Sequence, residues 1–119
     1  MGLQFHAIVT KIGKFAKDSL ADDMLILFSQ NAPQDVADYC FIHDMAIAGG
    51  VITTESTLLI ANEDYIVTAV GATANKNLRE LGHITIKFNA MTKPEFPGTI
   101  HVIGHCPTSI KLGDRITFG

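Results

Sequence analysis

The 119-residue sequence has no tryptophan, only two cysteines and no cluster of lysine or arginine. Without a basic face to meet phosphates, nucleic acid is excluded as the main partner, and the net charge of −3 agrees. Cys40 and Cys106 form neither a C-x-x-C pair nor a disulfide framework, so reduced thiols are expected. The longest apolar run, Met24 to Phe28, is far too short to cross a bilayer. The opening Met1-Gly2-Leu3-Gln4-Phe5-His6 lacks the basic region and apolar stretch of a secretory leader. The expectation is a soluble cytoplasmic protein with no membrane insertion.

Several chemistries are missing too. There is no G-x-S-x-G elbow for a serine hydrolase and no G-x-G-x-x-G or Walker loop for nucleotide chemistry, so no cofactor is expected. Five histidines invite a metal reading, but Cys40-x-x-His43 and His101-x-x-x-His105-Cys106 do not complete a zinc pattern. On one strand His101 and His105 would lie about 13 Å apart. No metal is expected.

What is present is apolar and strand-like. Apolar residues make up 47% of the chain and mean hydropathy is +0.25, enough for one domain over residues 1–119 with a core that needs no staples. Phe5 to Ile12 alternates with period two, and Met24 to Phe28 reads as a buried strand. Further strands are expected over Val51–Thr54, Thr57–Ile60, Tyr65–Val70, His83–Phe88, Thr99–Ile103 and Arg115–Phe118. Phe15–Leu20 holds at most one helical turn, Pro33–Asp38 reads as a short helix with Pro first, and Ala72–Leu81 is a helix closed by Gly82. Pro97-Gly98 reads as a turn needing positive φ at the glycine. Roughly eight or nine short strands that do not alternate with helices give an all-β barrel or sandwich rather than a parallel α/β sheet.

The organising stretch is Asp38-Tyr39-Cys40-Phe41-Ile42-His43-Asp44-Met45. As one strand it puts Tyr39, Phe41 and His43 on one face, with Cys40, Ile42 and Asp44 on the other. His43 then falls at the rim, at the end of an aromatic face, where an imidazole either bonds a carbonyl or meets something from outside. Cys40 faces away from it, which removes a Cys–His nucleophile pair. His83 also lies beside a strand end, and Gly71-Ala72-Thr73 opens a helix whose free N–H groups suit a phosphoryl group. Since histidine can carry a covalent intermediate and phosphoryl transfer needs mainly positioning, one imidazole can take the group while another group holds its oxygens.

Four blocks carry a resemblance: Phe41-Ile42-His43, Val67-Thr68-Ala69-Val70-Gly71, Asn77-Leu78-Arg79-Glu80-Leu81-Gly82-His83 and Glu95-Phe96-Pro97-Gly98-Thr99-Ile100-His101-Val102. With Ile12-Gly13, Met24-Leu25-Ile26, Phe28 and Ala32-Pro33 in the same order, the chain resembles the glucitol/sorbitol-specific enzyme IIA component of the bacterial sugar phosphotransferase system (PTS). The resemblance implies a small closed or partly open β-barrel with one or two short helices. It implies a phosphotransferase component that takes a phosphoryl group from the phosphocarrier HPr and passes it to the IIB domain of a membrane transporter with IIB and IIC parts. It also places the phosphorylated histidine at His43. His83 lies in a shared block, and three roles stay open for it: holding phosphoryl oxygens, fixing the tautomer of His43, or closing the helix after Gly82. Asp44-Met45-Ala46 departs from the more polar residues of some members, which bears on the sugar and transporter. The competing reading is a regulatory or binding module of the same fold that relays no phosphate; a weaker one is a barrel binding metal or ligand through Cys40, His43 and His101.

Overall fold

Period-two alternation gives each strand one apolar face, and closing the sheet on itself buries all those faces at once. The computed structural model describes residues 3–119; Met1 and Gly2, where the leader reading begins, lie outside the described residues. Phe5, Ala7 and Val9 of β1 (Phe5–Ile12) point inward, as do Leu25 and Leu27 of β2 (Met24–Ser29). They meet Phe41 of β3 (Phe41–His43), Leu58 and Ile60 of β5 (Thr57–Ile60), and Tyr65 and Val67 of β6 (Glu63–Val70). Ile84 and Ile86 of β7 (Ile84–Lys87), Ile100 and Val102 of β8 (Thr99–Ile103) and Ile116 and Phe118 of β9 (Arg115–Phe118) complete the core. Each such Leu, Ile or Phe contributes about 1.5–3 kcal/mol by leaving water.

The strand order β3-β2-β7-β8-β6-β5-β9-β1 is closed by pairing of β1 with β3, giving an eight-stranded mixed barrel. A ninth strand, β4 (Ile47–Ala48), extends from β1. Three short helices decorate it: α1 (Ala16–Ala21), α2 (Gln34–Ala37) and α3 (Ala74–Leu81). The all-β barrel expected from the sequence is therefore the fold, with one helix more than expected. Two pairs are parallel, β2 with β3 and β7 with β8, because α2 and the loop after β7 each carry the chain back across the barrel before the next strand starts. Phe28, Ala37, Cys40 and Ile42 form a small apolar cluster of their own beside α2.

Local expectations are corrected at four places. The organising stretch is not one strand: only Phe41–His43 is β3, and after Asp44-Met45-Ala46 the chain returns to β1 as β4, the β1–β3 pairing shifting register between Val9 and Lys11. Tyr39 lies before β3, 54% exposed, with its ring 5.3 Å from that of Phe15. Val51–Thr54 is no strand: Asn75 accepts from Ile52 N–H at 2.8 Å and donates to its carbonyl at 3.0 Å, doing the work of a neighbouring strand. Gly98 does not adopt positive φ; the close approach in this region falls on Gly71, where a Cβ would lie 2.2 Å from the Pro97 carbonyl oxygen. Among the described residues no helix is long and apolar enough to cross a membrane.

Candidate active site at the His43 end of the barrel

β3 ends where β1 bulges, between Val9 and Lys11, and that irregularity sets His43 opposite Val9 on one side and Ser29 on the other. Because Phe41 faces the core, His43 two residues later does too. It is 0% exposed, and the Phe5 ring meets it edge-on with centroids 5.4 Å apart. The rim position expected for His43 is thus overturned: its strand stops at the barrel end, but its side chain turns inward and is covered. The cover is the turn that closes α3. Gly82 N–H donates to the Leu78 carbonyl at 2.9 Å and His83 N–H to that of Asn77 at 3.3 Å. Gly82 has φ +67°, and its own carbonyl points at the imidazole.

Both ring nitrogens are occupied by main chain. Met45 N–H donates to Nδ1 at 3.0 Å, and Nε2 lies 2.7 Å from the Gly82 carbonyl oxygen. A nitrogen that accepts cannot carry the proton, so His43 is the Nε2–H tautomer and donates to Gly82. Burial pushes its pKa down, opposed by the Gly82 bond and by Asp44, and the ring is neutral. Asp44 faces away: its carboxylate accepts from Ile8 N–H at 2.9 Å.

His83 stands outside the barrel wall. It is half-buried, stacked on Phe28 with centroids 4.5 Å apart, and burial lowers its pKa. Neither nitrogen of His43 bonds to it, so the tautomer is fixed by Met45 and Gly82 and not by His83. It lines a cavity of about 330 Å³ with Ile26, Asn77, Thr85, Lys87 and Phe96. At the α3 start two N–H groups are taken by the chain itself, Thr73 N–H donating to the Pro97 carbonyl at 3.0 Å and Ala74 N–H to that of Gly71 at 3.1 Å. Cys40 packs outside the barrel, its thiol pushed up to about 11 by burial and donating to the Val36 carbonyl. His101 is buried elsewhere, accepting from Glu95 N–H at 3.1 Å and bonded to Asn89 Oδ1 at 2.8 Å. Cys40, His43 and His101 therefore do not converge. Sequence reasoning missed the Met45 amide and the Gly82 carbonyl. Gly82 was legible as a helix cap, whereas nothing in the residue types marks the amide.

His43, His83 and His101 all have depressed pKa values caused first by burial. The unfolded chain then binds more protons just below the ordinary imidazole value of about 6.5, so stability is full above that pH and is lost as pH falls through the folded values. Urea melts from pH 7.5 down to 5 are expected to lose up to about 1.4 kcal/mol per pH unit for each such imidazole. A flat profile would mean that these imidazoles bind protons equally in the folded and unfolded chain, against the depression.

Together the geometry defines a small mixed β-barrel with a neutral, main-chain-clamped imidazole at one end. The family model described as PTS system glucitol/sorbitol-specific IIA component matches residues 4–117. The chain is similar to the PTS system glucitol/sorbitol-specific EIIA components of Shigella flexneri and of Escherichia coli strain K12. Each is 42% identical over 118 residues, covering 99% of this chain and 96% of the relative. A crystal structure of a PTS system IIA component from Enterococcus faecalis V583 superposes with a TM-score of 0.78 at 27% identity, covering 93% of this chain and 96% of that one. The chain belongs to the glucitol/sorbitol-specific IIA family of the PTS.

Proposed function

We propose that the chain is a phosphoryl carrier: His43 accepts a phosphoryl group from phospho-HPr and passes it to the IIB domain of a glucitol/sorbitol-type transporter. The observation that carries this reading is the state of His43 in a chain of this family, a neutral imidazole clamped at both nitrogens by main chain alone. A neutral imidazole becomes a nucleophile once one nitrogen is freed of its main-chain partner, and the other clamp keeps it positioned for phosphoryl transfer. His83 acts through its neighbour: stacked on Phe28, it steadies the turn whose carbonyl covers Nε2. His83→Ala is expected to slow transfer severalfold in rapid-quench experiments while labelling stays detectable. An unchanged rate would leave His83 only the closing of the helix.

Intact-mass spectrometry after incubation with enzyme I, HPr and phosphoenolpyruvate, at neutral to alkaline pH, tests the proposal. One added phosphoryl group is expected on this chain and none on His43→Gln. A second reading, a regulatory or binding module that relays no phosphate, is favoured by one observation: His43 is 0% exposed. No added mass while HPr is phosphorylated in the same tube would establish that second reading against the first.

A further inference from the structure

The two clamps on His43 differ in kind, one giving a proton to the ring and one taking a proton from it, and the first sits on strained backbone. Met45 has φ +46°, a left-handed conformation that is costly for a residue with a side chain. On the other side of the same peptide Asp44 is anchored, its N–H donating to the Ile8 carbonyl at 3.2 Å and its carboxylate accepting from Ile8 N–H at 2.9 Å. Among the described residues the Asp44–Met45 peptide itself makes no hydrogen bond except the one from Met45 N–H to Nδ1.

We propose that the Asp44–Met45 peptide is a two-position switch that sets which nitrogen of His43 carries the proton, and that phosphoryl uptake runs only from the turned-over position. The proposal rests on the reading of His43 as phosphoryl acceptor. In the position seen, Nε2 holds the proton and has no lone pair to offer, while the Nδ1 lone pair is bonded to Met45 N–H. Turning the peptide over aims the Asp44 carbonyl at Nδ1 and takes Met45 φ into the extended region open to all residues. Nδ1 then gains a proton from water and donates it to that carbonyl, and Nε2 gives its own proton to water, so the ring's charge is unchanged. The new lone pair on Nε2 faces the Gly82 carbonyl oxygen, acceptor against acceptor. That repulsion drives the Gly82–His83 turn off the ring and opens the nitrogen to a donor.

The transfer balances as a simple displacement. The Nε2 lone pair forms the N–P bond while the bond from phosphorus to the donor's leaving atom breaks, its electron pair departing with the donor. Loss of the Nδ1 proton to water leaves a neutral phosphorylated ring, whose Nδ1 can again accept Met45 N–H. One proton thus governs both clamps. Strain released at Met45 and the hydrogen bond given up are of the same order, so both positions are within reach.

Met45→Ala and Met45→Gly provide the test, since both lose the side chain and differ in how they tolerate positive φ. Glycine holds the resting position without strain, so M45G is expected to take up phosphate about tenfold more slowly than M45A. M45N, whose residue type also tolerates the left-handed region, repeats the comparison should M45G fold poorly. Nitrogen-15 two-bond couplings in histidine-labelled protein should report the Nε2–H tautomer of His43 in the resting wild type, a readout that a merely structural role for Met45 would not require. A resting Nδ1–H tautomer, or equal uptake rates for M45G and M45A, overturns the switch. Should all variants label at His43 at one rate, only the switch fails; should the wild type take no phosphoryl group, the carrier reading fails with it.

Discussion

Gly82→Ala is expected to remove about 3 kcal/mol of stability and to uncouple His43 from its cover. A Cβ on Gly82 would lie 2.8 Å from His43 Cε1, 2.8 Å from Ser29 Cβ and 3.0 Å from Ser29 N. Ser29 belongs to the wall of the barrel and is paired to His43 in the sheet, so it cannot retreat without dragging β2 and β3. The imidazole is the softer neighbour, and pushing it away breaks the 2.7 Å bond to the Gly82 carbonyl. Two costs add: about 1–2 kcal/mol for a side chain at φ +67° and about 1–3 kcal/mol for overpacking. Urea denaturation with an unchanged m-value is the measurement. A loss below about 1 kcal/mol would mean that the turn relaxes freely and does not press on the ring.

His43→Ala is the second large effect. A rim histidine would be removable at little cost to the fold, whereas the buried ring leaves a void against Phe5 and orphans both the Met45 amide and the Gly82 carbonyl. The expected loss is about 3 kcal/mol, from cavity and unmet hydrogen bonds together. His43→Gln should recover roughly half of that, because its amide can still donate toward Gly82. Neither variant should take up phosphate. A wild-type melt for His43→Ala would show that the ring is not wedged, and full labelling of His43→Gln would move the chemistry elsewhere.

The barrel was legible because period-two alternation is written plainly in Phe5–Thr10, in Tyr65–Val70 and in Ile84–Lys87, where burial follows the pattern residue by residue, in β1 until the bulge puts Lys11 outside. The helix ending at Gly82 was legible from its cap. What the chain hid was long-range. Val51–Thr54 has the residues of a strand, yet its partner is the side chain of Asn75, and residue types do not reveal such a pairing. The break after His43 was hidden for a related reason. Asp44-Met45-Ala46 contains no glycine or proline, so the positive φ at Met45 is imposed by β1 and the imidazole instead of by local preference. Calling His43 a rim residue assumed that the end of a strand is the edge of the molecule; here α3 caps that end.

The barrel closes through a strand of three residues, Phe41–His43, held between β1 and β2 with a bulge beside it. Elsewhere β5–β6 pairs regularly over four residues and β5–β9 over three, and the β6–β8 pair carries a bulge of its own. In hydrogen exchange, the amides along this short seam are expected to open before those of the regular four-residue β5–β6 seam. Unzipping it lays bare the imidazole together with Phe41 and Ile42. Opening at this seam therefore costs part of the core, whereas movement of the Gly82–His83 turn uncovers the ring with the barrel closed.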